Sequence, residues 1–429
     1  MDIDRAPVVP GANKRDGTST VSDRPSPTPL RIPPEAMKEH RHAIGFMSGT
    51  SLDGLDAAVI RASGSGSDLE VEMLTHVETT FDGDDPLIGD LRAFARGGAA
   101  TAARIAEITH ELGRRHARLL RKVAEESGLD LRKDLDLIAL HGQTITHRPP
   151  ISWQLVDPWP VTLEVACPVV CDLRGADLAC GGRGAPITPL ADAILFRDHR
   201  TADRTSLILN LGGFANATLL PGKDGEPIGF DCCPCNHLLD AASRVALDTP
   251  FDLDGRATAS GRVDEKIVTP LVDLIATLAR EARSGGDGDE HAEAARSIAA
   301  EALAAGHPEH GLASIGAAIA RSIATIVQQR LDTHGCPPLG RTFVAGGGVR
   351  NQGLFAAIDG ALKTSSQAHP GPVESSSTAG IPPQAREAAA MAVLGLLAAD
   401  DGSITTPSST GRRPSGIPDG SWTRSSSLR

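Results

Sequence analysis

The chain contains no tyrosine, and nine Phe and three Trp are its whole aromatic complement in 429 residues. Its core must therefore be built from Ala, Leu, Ile and Val. No run of 18 apolar residues occurs, so no membrane span is expected. The N-terminus lacks the apolar centre of a signal peptide. The seven cysteines form no regular framework, which fits a reducing cytoplasm. Basic charge is also short: the formal net charge is −12 and the pI near 5.6, which argues against non-specific nucleic-acid binding. One basic run, Arg114 to Lys122, has Ile105, Ile108, Leu112, Leu119 and Val123 around it at helical spacing, and reads as the solvated face of a helix.

What is present points to a cytoplasmic enzyme. Hydrophobic residues make up 40% and charged residues 22%, as in a globular protein. A chain of this length should hold two cores, since single cores rarely grow beyond ~250–300 residues. Residues 1–40, rich in Pro, Ser, Thr and charge, read as a disordered tail. Residues 401–429 read as mostly disordered too, although Ile417 and Trp422 could anchor a segment. In between, short apolar runs alternate with helical patterns, which predicts an α/β fold. Strands are expected at 43–47, 55–60, 71–79, 136–141, 206–212 and 342–347. Helices are expected at 99–126, 187–196, 236–247, 312–332 and 384–399, with a surface connection over 281–297.

The most distinctive stretch is "GFMSGTSLDGLDAAVI", Gly45 to Ile60. Its ends alternate like strands, while the middle gathers hydroxyls, carboxylates and glycines. Gly, Asp and Ser make tight turns cheaply, so a plain hairpin is one reading. The other is a phosphate loop, in which glycines admit an anion and amides and hydroxyls donate to it. Carboxylates there could hold Mg²⁺, usually through water. Residues 206–220 repeat the pattern of strand, glycine turn and strand, and "VAGGGVRN" (344–351) again puts glycines after a strand. Two hairpins and a third glycine loop suit two related lobes closing on a nucleotide.

"HGQTITH" (141–147), "DLRGADLACGGRGAP" (172–186), "LNLGGFAN" (209–216), "GFDCCPCNHLLDA" (229–241) and "GIPPQAREAAAMA" (380–392) fall in order around these loops. Over roughly residues 42–400 the set resembles the anhydro-N-acetylmuramic acid kinases of the sugar kinase–actin–Hsp70 superfamily. The resemblance implies two related lobes of actin-like ATPase (ribonuclease H-like) fold with a nucleotide cleft between them. Lobe I would span 41–203 and lobe II 204–380, with a C-terminal helix over 381–400 returning to lobe I. It implies an ATP-dependent kinase that opens 1,6-anhydro-N-acetylmuramic acid with water and phosphorylates O6, in peptidoglycan recycling. The expected partners are ATP and the sugar, with no nucleic acid or membrane; a homodimer is left open.

By the same resemblance, Gly49, Thr50, Ser51, Leu52, Asp53, Gly54, Leu55 and Asp56 form the ATP phosphate loop, and Asp53 and Asp56 are the candidates for the Mg²⁺ shell. Gly212 and Gly213 face the phosphates from the other lobe, and Gly346, Gly347 and Gly348 lie against the adenosine. Asp231 matches the general base, a role that needs an ionised carboxylate beside the attacking water. A helix N-cap is the other reading of Asp231. Thr144, Arg174 and Glu387 match positions at the sugar. Glu387 also suits a first-turn helix acid; Asp177 matches the family as well, and Arg174 could pair with the lactyl carboxylate or with a neighbouring Asp. His141 and His147 read as core histidines rather than metal ligands.

Two departures stand out. Cys233 and Cys235 replace the two glycines of the family's usual "DCGPGN", at a cost of ~1–2 kcal/mol each if those positions need positive φ. A zinc site at Cys232, Cys233, Cys235 and His237 lacks the second spaced ligand pair such sites use. The family's Lys-Ser-Thr-Gly-Arg-Glu stretch is also missing. The alternatives are therefore a nucleotide-binding relative with weak or altered activity, acting as sensor or partner, or a kinase for another sugar.

Overall fold

The computed structural model describes residues 39–49, 52, 54–81, 85–95, 97–280, 289–365 and 371–425. The strands are β1 Arg41–Met47, β2 Gly54–Ser63, β3 Glu70–Thr80, β4 Leu137–Leu140, β5 Gln143–Arg148, β6 Ile151–Leu155, β7 Val169–Cys171, β8 Thr205–Leu211, β9 Phe214–Pro221, β10 Ile228–Pro234, β11 Leu339–Ala345, β12 Val373–Ser375 and β13 Ser421–Thr423. They form two main sheets, ordered β13-β7-β4-β1-β2-β3 and β10-β9-β8-β11-β12, and β5 pairs with β6 alone. In the first sheet β1, β2 and β3 form an antiparallel meander, and β4 and β7 extend it parallel to β1. The second repeats this: β8, β9 and β10 meander, and β11 and β12 extend it in parallel. The repeat seen in the glycine hairpins is thus a repeat of whole sheets. Both sheets belong to one compact unit, Glu39–Arg429.

Side chains alternate across a strand, and the first sheet uses both faces. Ile44, Phe46, Ala57, Val59, Ile138 and Leu140 pack with Leu119, Leu120 and Val123 of the helix Ala102–Ser127. Ala43, Ala58, Ile60, Leu137 and Ala139 pack on the opposite face against the alanine-rich helix Arg386–Ala399. Gly45 permits that second contact. A Cβ there would lie 2.0 Å from the Ala388 carbonyl oxygen. The second sheet's main core forms with the helices Asn236–Ala246 and Pro308–Thr333. The latter is, among the described residues, the helix long and apolar enough to cross a membrane by length and composition, and most of it is buried in this core.

Two sequence expectations need correction. Residues 401–425 are not a disordered tail: they form the short helix Pro407–Thr410 and the edge strand β13, paired antiparallel with β7. Polar side chains fix this segment as much as apolar ones do. Thr405 and Thr410 donate to the buried Asp177 carboxylate at 2.6 and 2.7 Å, and Arg412 pairs with Asp419 in the interior at 2.7 Å. The connection expected over 281–297 is in part the helix Asp289–Ala304, whose Ala295 and Ala299 enter the second core. Residues 1–38 and 281–288 lie outside the described residues.

Candidate active site

At the first hairpin, the Leu52 amide donates to the Gly49 carbonyl at 3.2 Å. Leu52 holds a left-handed backbone at φ 55°, which is costly for a branched side chain. Its side chain is buried with Leu87, Ile88 and Leu91, and Arg92 donates to its carbonyl at 3.0 Å. Those contacts hold the turn. Ser48 donates to the Gln143 side-chain carbonyl, whose amide in turn donates to the Gly49 oxygen at 3.4 Å. The "HGQT" segment after β4 is thereby clamped to the loop after β1, at the strand ends where α/β sheets place ligand groups. Leu52 and Leu55 give their side chains to the core, so only their backbone can reach a phosphate. Thr50, Ser51 and Asp53 lie outside the described residues. Gly54 opens β2, and Asp56 sits half-buried, 3.8 Å from the His76 imidazole.

The second hairpin turns at Gly212 and Gly213. Their carbonyls accept from the first amides of the helix Asn236–Ala246: Cys235 to Gly213 at 2.8 Å, and Asn236 to Gly212 at 3.1 Å. The loop after β11 packs beside it. Gly346 has φ +83°, and a Cβ there would meet Asn210 Oδ1 at 2.7 Å and the Leu211 carbonyl at 2.8 Å, so the position takes only glycine. Gly348 lies against Leu211 and Asn236, while Gly347 borders open space. Asn210, Gly212, Gly213 and Gly346 to Gly348 are thus gathered at one place.

Asp231 is the solvent-facing residue of the otherwise buried β10. Its surroundings nevertheless disfavour the charged form: desolvation raises its pKa from the ordinary 3.8, and the Arg174 and Arg183 guanidiniums oppose the rise. Arg174, at the start of the short helix Gly175–Ala179, is held by two acceptors. It donates to His141 Nε2 at 3.1 and 2.8 Å and to the Gly184 carbonyl at 2.6 Å. Burial lowers its pKa to about 10, with Asp231, Glu387 and Asp177 pulling it back up, so it stays cationic at neutral pH. His141 is buried, and desolvation with the Arg174 charge brings its pKa down to about 3. A neutral ring with a free Nε2 lone pair is what Arg174 needs. His147 is held neutral in the same way, at about 4.

Glu387 closes the cluster from the first turn of the helix Arg386–Ala399. Its pKa is raised by burial and then by the Asp56 carboxylate, and lowered by Arg386, Arg174 and a hydrogen bond from Asn210. Asn210 Oδ1 is buried and has no hydrogen-bond partner. Beneath Glu387, the buried Arg386 donates to Asp192 Oδ1 at 2.8 Å and to Thr188 at 2.9 Å. Asp192 also accepts from Thr218 of β9 at 2.6 Å. This network ties a helix of the first sheet to a strand of the second.

The structure therefore brings Asp56, Asn210, Arg174, Asp231 and Glu387 together from both sheets. Thr144 lies on β5 nearby in sequence, where its hydroxyl accepts from Gln154 at 3.4 Å. The N-cap reading of Asp231 is corrected: Cys235 precedes the helix, and Asp231 lies inside β10. The alternative reading of Arg174, a structural ion pair with a neighbouring Asp, is not what the described residues show: its bonds go to His141 and Gly184. Cys233 and Cys235 carry no positive φ, so the left-handed penalty does not arise. A bulge between Asp231 and Cys233 accommodates the loop. Burial raises the Cys232 and Cys233 thiols far above their ordinary range and Cys235 to about 12, which suits inert core thiols rather than metal-binding thiolates. Sequence reasoning missed the part His141 plays, because its partner is 33 residues away. It also passed over Arg183, although that residue stood inside a quoted motif.

Residues 41–417 match the family model described as anhydro-N-acetylmuramic acid kinase. A protein of that name from Salinibacter ruber is 31% identical over 387 residues, covering 87% of this chain and 94% of its own. Its namesake from Bordetella pertussis is 34% identical over 378 residues, covering 86% and 93%. Among solved structures, the activator of the 2-hydroxyisocaproyl-CoA dehydratase from Clostridium difficile with bound ADPNP is 14% identical, with a TM-score of 0.43 over 83% of this chain and 95% of that one.

Proposed function

The chain belongs to the anhydro-N-acetylmuramic acid kinase family, and we propose that it carries out the full reaction of 1,6-anhydro-N-acetylmuramic acid with water and ATP. The products are N-acetylmuramic acid 6-phosphate and ADP. Asp231 takes a proton from the water that attacks the anomeric carbon. The bond from that carbon to O6 breaks, and O6 takes the γ-phosphoryl group as ADP leaves. What supports this reading most is the placing of Asp231, the solvent-facing residue of the otherwise buried β10, beside the charges of Arg174 and Glu387 where the two sheets meet.

In this reading Arg174, held by His141 and Gly184, supplies positive charge to the lactyl carboxylate, and Thr144 and Glu387 contact the sugar. Gly49, Gly54, Gly212 and Gly213 face the phosphates, and Gly346 to Gly348 the adenosine. Asp56 and the unpartnered Oδ1 of Asn210 offer the hard oxygen donors that Mg²⁺ takes; Asp53 remains a candidate on sequence alone. When bound, Mg²⁺ supplies charge neutralisation on the β- and γ-phosphates. We place the enzyme in the cytoplasm, in peptidoglycan recycling. ADP release coupled to a colour reaction tests this with the anhydro sugar, N-acetylmuramic acid and glucosamine in turn. Turnover is expected with the anhydro sugar, and equal or faster turnover with glucosamine would overturn the assignment.

A further inference from the structure

The ribbon of β5 and β6 has two unlike faces, because side chains alternate along a strand. Ile145 and Leu155 pack on one side with Leu87, Ile88 and Leu91 of the helix Pro86–Ala95. The other side carries Thr144 opposite Gln154, and His147 opposite Ser152. That polar face borders the Arg174 loop: a Cβ on Gly184, whose carbonyl holds Arg174, would meet His147 Cε1 at 3.3 Å. A chain of hydrogen bonds then sets the polarity of the face. The His147 ring is neutral, and its one proton goes to the Arg183 carbonyl. Nδ1 is therefore bare and accepts from the Ser152 hydroxyl at 2.8 Å. With that proton committed, Ser152 Oγ can only accept from Gln154, so the Gln154 amide turns Nε2 toward it, at 2.8 Å. Nε2 also donates to Thr144 Oγ1 at 3.4 Å. Two groups are left over. Among the described residues no donor meets Gln154 Oε1, and no acceptor takes the Thr144 hydroxyl proton.

Given the reading of Thr144 as a sugar contact, we propose that Thr144 and Gln154 together recognise the free C4 hydroxyl of the anhydro sugar, and so select a sugar unsubstituted at O4. A hydroxyl accepts and donates at one atom, and the pair offers one donor and one acceptor side by side. The other polar groups of 1,6-anhydro-N-acetylmuramic acid match this pair poorly. Its carboxylate and its ring, bridge and ether oxygens have no proton to give at neutral pH. The acetamido N–H and C=O point in opposite directions across a trans amide, so a side-by-side pair cannot engage both. The C4 hydroxyl is the alcohol that the anhydro bridge, the acetamido group and the lactyl ether leave free. A sugar joined to another through O4 has no proton for Gln154 and brings bulk to the same place.

The test compares the anhydro sugar with its 4-deoxy and 4-O-methyl analogues. Binding is measured by calorimetry with a non-hydrolysable ATP analogue present, and turnover is followed in parallel. The wild type should disfavour both analogues by at least about tenfold, because a donor and an acceptor are left unpaired. In Gln154→Ala that preference should fall to within about threefold, as a direct contact requires in a double-mutant cycle. Ser152 touches no sugar, yet Ser152→Ala should erode the preference too, since the Gln154 amide can then flip. Ser152→Thr restores the hydroxyl and should recover it. Unchanged affinity for the ATP analogue alone reports that each variant is folded. Equal binding of the three sugars, binding of none, or an undiminished preference in Gln154→Ala would overturn the assignment. Selective binding without turnover would count against the kinase reaction and leave the C4 contact standing.

Discussion

A carboxylate that takes a proton from water serves best when its own proton affinity approaches the working pH. Burial moves Asp231 in that direction, and Arg174 restrains it. Only the ionised form is a base, so activity is lost as pH falls through the raised pKa, and the acid limb of kcat/KM lies above the ordinary Asp value. Removing the nearby positive charge raises that pKa further. Arg174→Gln should therefore lower turnover and also shift the acid limb to higher pH. A limb that stays in place or moves down would show that Arg174 does not face the base. Asp231, Arg174 and Glu387 were singled out in the sequence by the motifs that hold them, and the structure brings the three side chains together. What could not be read was how they are held. His141 looked like a core histidine, and by burial it is one, but its role comes from a tautomer and a contact made in three dimensions. Arg386 is likewise the unremarked neighbour of Glu387 in the chain, and its partner Asp192 is 194 residues away.

Elements were more legible than contacts. Strands and helices follow the apolar periods closely because each buries a defined face, and the similar hairpins pointed to two related halves, whose sheets share one order of five strands with β13 added to the first. The C-terminal segment escaped because its anchors are hydroxyls and an Arg–Asp pair, which in sequence look like a solvated tail. The helix Arg386–Ala399 shows what one position can decide. It lies against β1 across Gly45, where a side chain has no room. Overpacking of this kind typically costs ~1–3 kcal/mol, occasionally more. Gly45→Ala should lower the midpoint of thermal unfolding, and because the helix carries Glu387 it should reduce turnover as well. An unchanged melting temperature would mean that the helix rides further from the sheet than described.

At the scale of the molecule, the two sheets each contribute a glycine turn and part of the polar cluster, so the site is complete only where they meet. Binding of both substrates should draw the sheets together and exclude water. Small-angle scattering with a non-hydrolysable ATP analogue and the anhydro sugar should give a smaller radius of gyration than the free protein, and an unchanged radius at saturation would contradict closure. The whole account turns on Asp231 acting as the base rather than as a structural group of β10. Asp231→Asn keeps the shape of the side chain and removes the proton acceptor. General-base assistance is typically worth ~10²–10⁴-fold, so the variant should bind ATP as the wild type does and lose at least about a hundredfold in ADP formation driven by the anhydro sugar. Turnover within about tenfold of the wild type, well short of that range, would contradict the assignment.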